Sequence, residues 1–553
     1  MINNKRAEPE HQSTPCSEHQ WWQRGVLYQV YPRSFLDSNG DGIGDLPGVI
    51  RKLDYLHWLG VDALWLSPIY PSPMADFGYD VSNYTDIHPL FGTLKDFETL
   101  LDMAHRRGLK VILDFVPNHT SDLHPWFLES RSSRDNSKRD WYLWRDPAPG
   151  GGPPNNWLSV FGGRAWEWDE GTGQFYYHAF LKQQPDLNWR NPDVQDAMLN
   201  VMRFWLDRGV DGFRVDTMSH LIKDDQFRDN PPDPTYRPGR LPHRVLMTTY
   251  TTDRPEVHAI IARMRRLTNA YEGRLIVGEL YLPVERLMAY YGTDGGGAHL
   301  PFNFQLIELP WHARTIAAAI DAYEAALPPD GWPNWVLGNH DKPRIATRVG
   351  AAQARVAAML LLSLRGTPTM YYGDEIGMQD GAISAEHVHD PLEKHIPGAG
   401  LGRDPARTPM QWDASSHAGF TRGRPWLPVS MDSAGVNVES QRANDTSLLS
   451  LYRRLIGLRC ADAALAVGSY QTLYAGAEAL AFLRRYGARR LLIALNFTSS
   501  PAEVDITALH SAGRVIVSTH LDREGEAVDA TLRLRADEGV IVEVSDPDSS
   551  ARR

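Results

Sequence analysis

GVDGFRVDT (209–217) decides the fold: a short apolar run opened by glycine and ended by Asp216. Such a run, with almost no polar alternation, reads as a strand covered on both faces, the kind that builds parallel sheets. RLIVGEL (274–280) ends the same way on Glu279, and NWVLGNHD (334–341) ends on Asp341. In an eight-fold β/α barrel, strand ends of this kind converge on one face.

Outward from these stretches the chain alternates strand and helix patterns. GVLYQVYPRSF (25–35) reads as the first strand and LPGVIRKLDYLHWLG (46–60) as its helix; GVDALWLSP (60–68), LKDFETLLDMAHRRG (94–108) and GLKVILDFVPN (108–118) continue the alternation. HLPFNFQL (299–306) and TPTMYYGDEIG (367–377) bring the strand count to eight, enough to close a barrel. The period breaks after Asn118, where a segment rich in Gly, Pro, Trp and Tyr precedes the helix NPDVQDAMLNVMRFWLDRG (191–209). A structureless loop of that length is improbable in a compact domain, so it is expected to be a small inserted domain.

After SLLSLYRRLIGLR (447–459) the texture changes to short alternating runs such as ALAFLRRY, RRLLIALNF and GVIVEVS, the pattern of an antiparallel β domain. The expected organisation is α/β: a (β/α)8 barrel with an inserted domain after its third strand and a C-terminal β-sandwich. Its divisions are a flexible tail (1–20), the barrel (21–118 and 186–466), the insertion (119–185) and the β domain (467–553). The final residues, SDPDSSARR, also read as flexible.

Composition narrows the function. The 553 residues, 42% hydrophobic, can bury a large core. A net charge of -11, spread along the chain, gives no basic footprint for nucleic acid. The 17 Trp and 22 Tyr suit neutral, flat-faced ligands such as sugars. Only Cys16 and Cys460 are present, far apart, so no structural disulfide is expected. The head lacks a signal-peptide core and no apolar run reaches membrane-spanning length, which sets the expectation of a cytoplasmic protein with no membrane partner.

The carboxylates carry the chemistry. On a strand, Arg214 and Asp216 point the same way, so the guanidinium is expected to keep Asp216 ionised as a nucleophile. Glu279 ends the next strand, and neighbouring strands lie roughly 4.8 Å apart. Carboxyl groups held about 5 to 5.5 Å apart suit cleavage of a glycosidic bond with retention, one attacking carbon while the other protonates the leaving oxygen. Glu279 has no basic neighbour in its own strand and faces Asp216, which favours its keeping a proton. Asp341 is placed to brace the transition state.

DFVPNHT (114–120), GFRVDT (212–217), GEL (278–280) and GNHD (338–341) resemble the four sequence regions of the α-amylase superfamily of glycoside hydrolases. QPDLNW (184–189) and RTPMQWD (407–413) resemble the branch holding oligo-1,6-glucosidases, α-glucosidases and dextran glucosidases. The resemblance runs from Trp21 to the final β domain. It implies Asp216 as nucleophile, Glu279 as acid/base and Asp341 as stabiliser. It implies that His119 and His340 hydrogen-bond the glucose, that Tyr79 is its platform, and that Phe161, Phe180 and Gln184 line the pocket. Asp76 with Arg407, or with the nearby Arg403, closes the pocket around the terminal 4-hydroxyl, and a closed pocket means removal of single glucose units from short oligosaccharides. Thr217 occupies a place where, in the resembling family, Thr or Ala accompanies α-1,4 cleavage and Val accompanies α-1,6 preference. Retaining chemistry also permits transfer to sugar or alcohol acceptors.

DSNGDGIGD (37–45) sets oxygen donors at Asp37, Asn39, Asp41 and Asp45, with the Ile43 carbonyl between them. The pattern is like the first part of an EF-hand loop but lacks the glutamate twelve residues in, since position 48 is Gly. The resemblance implies a structural Ca²⁺ or Mg²⁺ here, remote from the carboxylates, and no catalytic cofactor. Two rival readings remain: a sucrose isomerase or related glucosyltransferase sharing these carboxylates, and a non-catalytic transporter-associated relative. The second normally lacks the acids that this chain retains.

Overall fold

The computed structural model describes residues 19–237, 241–398, 400–509 and 512–545. Cys16, most of the expected N-terminal tail and nearly all of the C-terminal tail lie outside them.

Eight parallel strands form the barrel: β1 (Leu27–Val30), β2 (Ala63–Leu66), β3 (Lys110–Phe115), β4 (Gly212–Val215), β5 (Leu275–Gly278), β6 (Leu300–Pro301), β7 (Asn334–Val336) and β8 (Thr367–Tyr371). They follow the order β7-β8-β1-β2-β3-β4-β5-β6, and a parallel bridge between Asn303 and Trp335 completes the ring. The strands are short and covered on both faces, which is why each reads as an apolar run. Gly212 is required where β4 meets β5, because a Cβ there would lie 2.3 Å from the Leu275 carbonyl oxygen.

The helices begin where their sequences cap them. Thr93 and Asp96 form a reciprocal capping box on Leu94–His105. Asn191 accepts the Asp193 amide ahead of Pro192–Leu206, whose Pro at the first turn needs no amide partner. Two expected strands are shorter than their patterns. In YPRSF the chain leaves β1 for a helical turn, Pro32–Phe35, since Pro32 carries the φ of a first helical residue. In HLPFNFQL the strand is only Leu300–Pro301, Asn303 adds the single bridge to Trp335, and helix Gln305–Glu308 follows.

Within residues 119–185 stand a helix, Pro125–Ser132, and a three-stranded antiparallel sheet of Trp144–Arg145, Gln174–Tyr177 and Trp166–Asp169. Its aromatic side chains Trp157, Trp166 and Tyr177 pack with Phe227 from the loop after β4, which ties the insertion to the barrel's catalytic end.

After the barrel, a six-stranded antiparallel sheet runs from Ser469–Ala475 to Gly539–Val544 in chain order, with Ala502–Asp505 and Thr531–Leu534 as a second, two-stranded sheet. Alternation sorts its residues: Leu491, Ile493 and Leu495 join the barrel's core, while Leu492, Ala494 and Val542 meet Val504 and Leu532 of the small sheet. Helix Ile345–Ser363 is long and apolar enough, by length and composition, to cross a membrane. Most of it is buried; Gly350 kinks it, and it packs against Leu448–Ala461. That is the setting of a core helix.

Candidate active site

The register of the barrel assembles the site. Asp114 of β3 pairs with Arg214 of β4, and Val215 pairs with Gly278 of β5. Asp216 and Glu279 are therefore the next residues beyond one paired rung. The Arg214 guanidinium, 1% exposed, donates to all three acids: 2.8 Å to Asp114 and 2.5 Å to Asp216 from Nη1, and 2.8 Å to Glu279 from Nη2.

This corrects the expectation that Arg214 holds Asp216 ionised with a lowered pKa: the guanidinium is shared with Asp114 and with Glu279, whose own strand carries no basic residue. With one cation shared among three acids, burial pushes the Asp216 carboxyl well above the usual carboxylate range; Arg214 opposes the rise, while Glu279 and Asp114 add to it. Asp114 is likewise pushed up, to about 6, chiefly by burial.

Thr217 locks the pair. Its amide donates to Glu279 Oε2 at 2.8 Å and its hydroxyl to Asp216 Oδ2 at 3.2 Å. It reaches both from a left-handed backbone, φ 40 and ψ 45, which a β-branched residue adopts only under strain.

On the opposite wall a hydrogen-bond relay holds the first histidine. Gln29 donates to His340 Nδ1 (2.8 Å), His340 Nε2 meets the Tyr79 hydroxyl (2.8 Å), and that hydroxyl donates to Asp114 (3.0 Å). Gln29 thereby fixes the tautomer with its proton on Nε2. The Tyr79 and His340 rings stack at 5.4 Å, within 1° of parallel. His119 is held by the Tyr79 carbonyl at 3.0 Å and by Asn118 at 3.1 Å. Burial lowers both imidazoles, His119 to about 4 and His340 to about 3, so both are neutral near pH 7.

Asp341 stands beside them. Burial would raise it, but His340, Arg403 and Arg407 outweigh that and hold it far below the usual carboxylate range. Arg407 donates to Asp341 at 2.8 Å and to the His340 carbonyl at 2.8 Å.

The arginine that closes the pocket is Arg403, which bonds Asp76 at 2.7 Å. Arg407 stands behind Asp341 and does not line the cavity, so the pairing of Asp76 with Arg407 is replaced by Asp76 with Arg403. The cavity, about 590 Å³, brings together Asp76, Tyr79, His119, Phe161, Phe180, Gln184, Asp216, Thr217, Glu279, Asp341 and Arg403. Arg214 and His340 lie just beneath its wall and act through the groups they hold. Two residues of the site escaped sequence reading: Asp114, detectable only from its lateral pairing with Arg214, and Asp390, which grips Arg403 at 2.7 Å from the loop after β8.

Asp37, Asn39, Asp41, Ile43 and Asp45 share one loop apart from this cavity. Asp37 accepts the amides of Asn39, Gly40 and Gly42, Asp41 accepts that of Ile43, and Asp45 caps Leu46–Arg51 through the Gly48 amide at 2.6 Å. Among the described residues, no three acidic, imidazole or thiol groups form a metal-holding cluster. The loop still offers alternating oxygens, since an ionised carboxylate has about four acceptor positions and these are only partly used.

Residues 29–468 match the family model for the α-amylase catalytic domain. A probable α-glucosidase of Rhizobium meliloti (strain 1021) is 42% identical over 523 residues, 91% of this chain and 95% of the relative. Among solved structures, the α-glucosyl transfer enzyme XgtA superposes with a TM-score of 0.91 at 41% identity, covering 96% of this chain and all of that one. Trehalulose synthase MutB from Pseudomonas mesoacidophila MX-45 does so with a TM-score of 0.88 at 34% identity, covering 96% of this chain and all of that one.

Because burial lowers the folded imidazoles below the ordinary value of 6.5, the unfolded chain takes up protons as pH falls from about 6.5, to about 4 for His119 and about 3 for His340, that the folded chain refuses. Stability contributed by these two groups is full above that window and is lost as pH falls through it. His340→Asn should flatten the fall of thermal unfolding temperature between pH 6.5 and 4.5; an unchanged slope would contradict the buried neutral ring.

Proposed function

Since the chain belongs to the α-amylase catalytic-domain family of glycoside hydrolases, we propose that it is a retaining, exo-acting α-glucosidase. It releases α-D-glucose from the non-reducing ends of short α-1,4-linked oligosaccharides such as maltose, and passes some glucosyl units to sugar or alcohol acceptors. The observation that carries this reading is one guanidinium joining Asp216 and Glu279 at adjacent strand ends, in a cavity closed at one side by Asp76 and Arg403.

Asp216, held by Arg214 Nη1 and by the Thr217 hydroxyl, attacks the anomeric carbon as a carboxylate while Glu279 protonates the departing oxygen. Arg214 is the group that opposes the rise burial imposes on Asp216. Forming the glucosyl ester removes the Asp216 charge. Glu279, made an anion by that proton transfer and still paired with Arg214, takes the proton of an incoming water or alcohol as that oxygen attacks the same carbon. Two displacements restore the original configuration. Asp341, ionised between Arg403 and Arg407, stabilises the oxocarbenium-like transition state, and the neutral His119 and His340 leave no extra positive charge to oppose it. The Asp76–Arg403 pair suits a terminal hydroxyl and obstructs a chain that continues past it.

Rearrangement of sucrose is a second reading, favoured by the likeness to trehalulose synthase, which shares the barrel and much of this sequence. Chromatography of products from sucrose and from maltose separates the two.

Wild type should hydrolyse maltose faster than isomaltose, with α-glucose appearing first in the NMR spectrum. Thr217→Val, which removes the hydroxyl on Asp216, should shift the ratio toward isomaltose by about tenfold. A wild type faster on isomaltose would sink the linkage assignment, and β-glucose as first product would sink retention.

A structural Ca²⁺ or Mg²⁺ on loop 37–45 belongs to the same proposal, supported by the alternating oxygens of Asp37, Asn39, Asp41, Ile43 and Asp45; catalysis is assigned no cofactor. Chelation should lower the thermal unfolding temperature, and added Ca²⁺ or Mg²⁺ should restore it, by mass action on the folded state. An unchanged temperature with chelator counts against the ion.

A further inference from the structure

We propose that Asp390 is the positioning residue that makes this pocket closed: it fixes the Arg403 fork so that Asp76 and Arg403 together admit only a chain end. The proposal rests on the α-glucosidase reading and adds to it a residue outside the cavity wall.

A guanidinium presents five N–H donors in one plane. In Arg403, Nε lies 3.1 Å from both Asp390 oxygens and Nη2 lies 2.7 Å from Oδ1, a two-pronged grip on one edge of the plane. The Arg403 amide donates to the same carboxylate at 2.5 Å. Held by that edge, the guanidinium cannot rotate without breaking its Nε and Nη2 bonds to Asp390. Its free edge is turned to the cavity, where Nη2 meets Asp76 at 2.7 Å and Nη1 meets Asp341 at 3.4 Å. The Phe161 ring lies 5.0 Å from the guanidinium carbon and backs the same plane.

Asp390 is itself fixed. It is fully buried, it caps the short helix Pro391–His395 through the Leu392 amide, and Asp404 ties the amides of His389 and Asp390 at 2.6 and 2.8 Å. Asp390 and Arg403 both belong to the segment after β8, and the Arg403 held in this way fastens that segment to Asp76 and Asp341. Without the Asp390 charge, Arg403 retains Asp76 and Asp341 as partners and can swing toward either, so the gap over the terminal hydroxyl is no longer set.

Asp390→Asn removes the charge and leaves one acceptor oxygen, so of the two backbone amides, Leu392 on Oδ1 and Arg403 on Oδ2, only one keeps its partner. It should raise KM for maltose about tenfold, with kcat within about threefold. The decisive readout is gain of cleavage on a malto-oligosaccharide whose non-reducing 4-hydroxyl is blocked, a substrate the wild type should refuse, because a loosened fork lets a substituted end pass. Asp390→Glu keeps the charge on a longer arm and should fall between the two; it carries the test if the Asn variant does not fold. KM unchanged in the variant, or kcat falling with no action on the blocked substrate, overturns the positioning role. Wild type inactive on maltose overturns the α-glucosidase reading instead.

Discussion

One buried cation sets the terms of this active site. Arg214 lies among Asp114, Asp216 and Glu279, taken from three consecutive strands, and a buried charge is tolerable only when paired and hydrogen-bonded. Three acids around one guanidinium set burial and mutual repulsion against Arg214, and Asp216 and Asp114 are both driven above the usual carboxylate range. In the proposed double displacement that imbalance favours giving a proton to a leaving oxygen.

The barrel supplies the precision. Lateral pairing of β3, β4 and β5 fixes which rungs face each other, so the three acids meet one guanidinium without help from flexible loops. The strained Thr217 backbone then aims an amide at Glu279 and a hydroxyl at Asp216. Loops build the rest of the wall: Asp76 comes from the segment after β2, Phe161, Phe180 and Gln184 from the insertion, and Arg403 from the segment after β8. Chemistry sits on rigid strand ends, and substrate selection on longer connections.

What was legible in the sequence follows the range of its signals. Period and punctuation revealed the strands, the insertion and the terminal β domain. Acids at strand ends revealed Asp216, Glu279 and Asp341. Lateral register is not a local property, so the sharing of Arg214 with Glu279 and Asp114 could not be read from GFRVDT alone. The choice between Arg403 and Arg407 was open for a related reason: standing just before and at the end of a short 3-10 turn, Asp404–Arg407, they point to different partners, and nothing in GRDPARTP says which one faces Asp76. Asp390 was invisible because its importance lies in a contact formed by a loop folding back on itself. The apolar run at 25–35 misled at YPRSF, where Pro32 starts a helical turn inside a strand-like pattern.

The most direct test of the shared-cation account is to trap the covalent intermediate. A 5-fluoro-α-D-glucosyl fluoride, slow to release its sugar, should leave a glucosyl adduct that peptide mass mapping places on Asp216, with Glu279 and Asp341 unmodified. An adduct on Glu279, or fluoride released with no adduct and with inverted product, would contradict it.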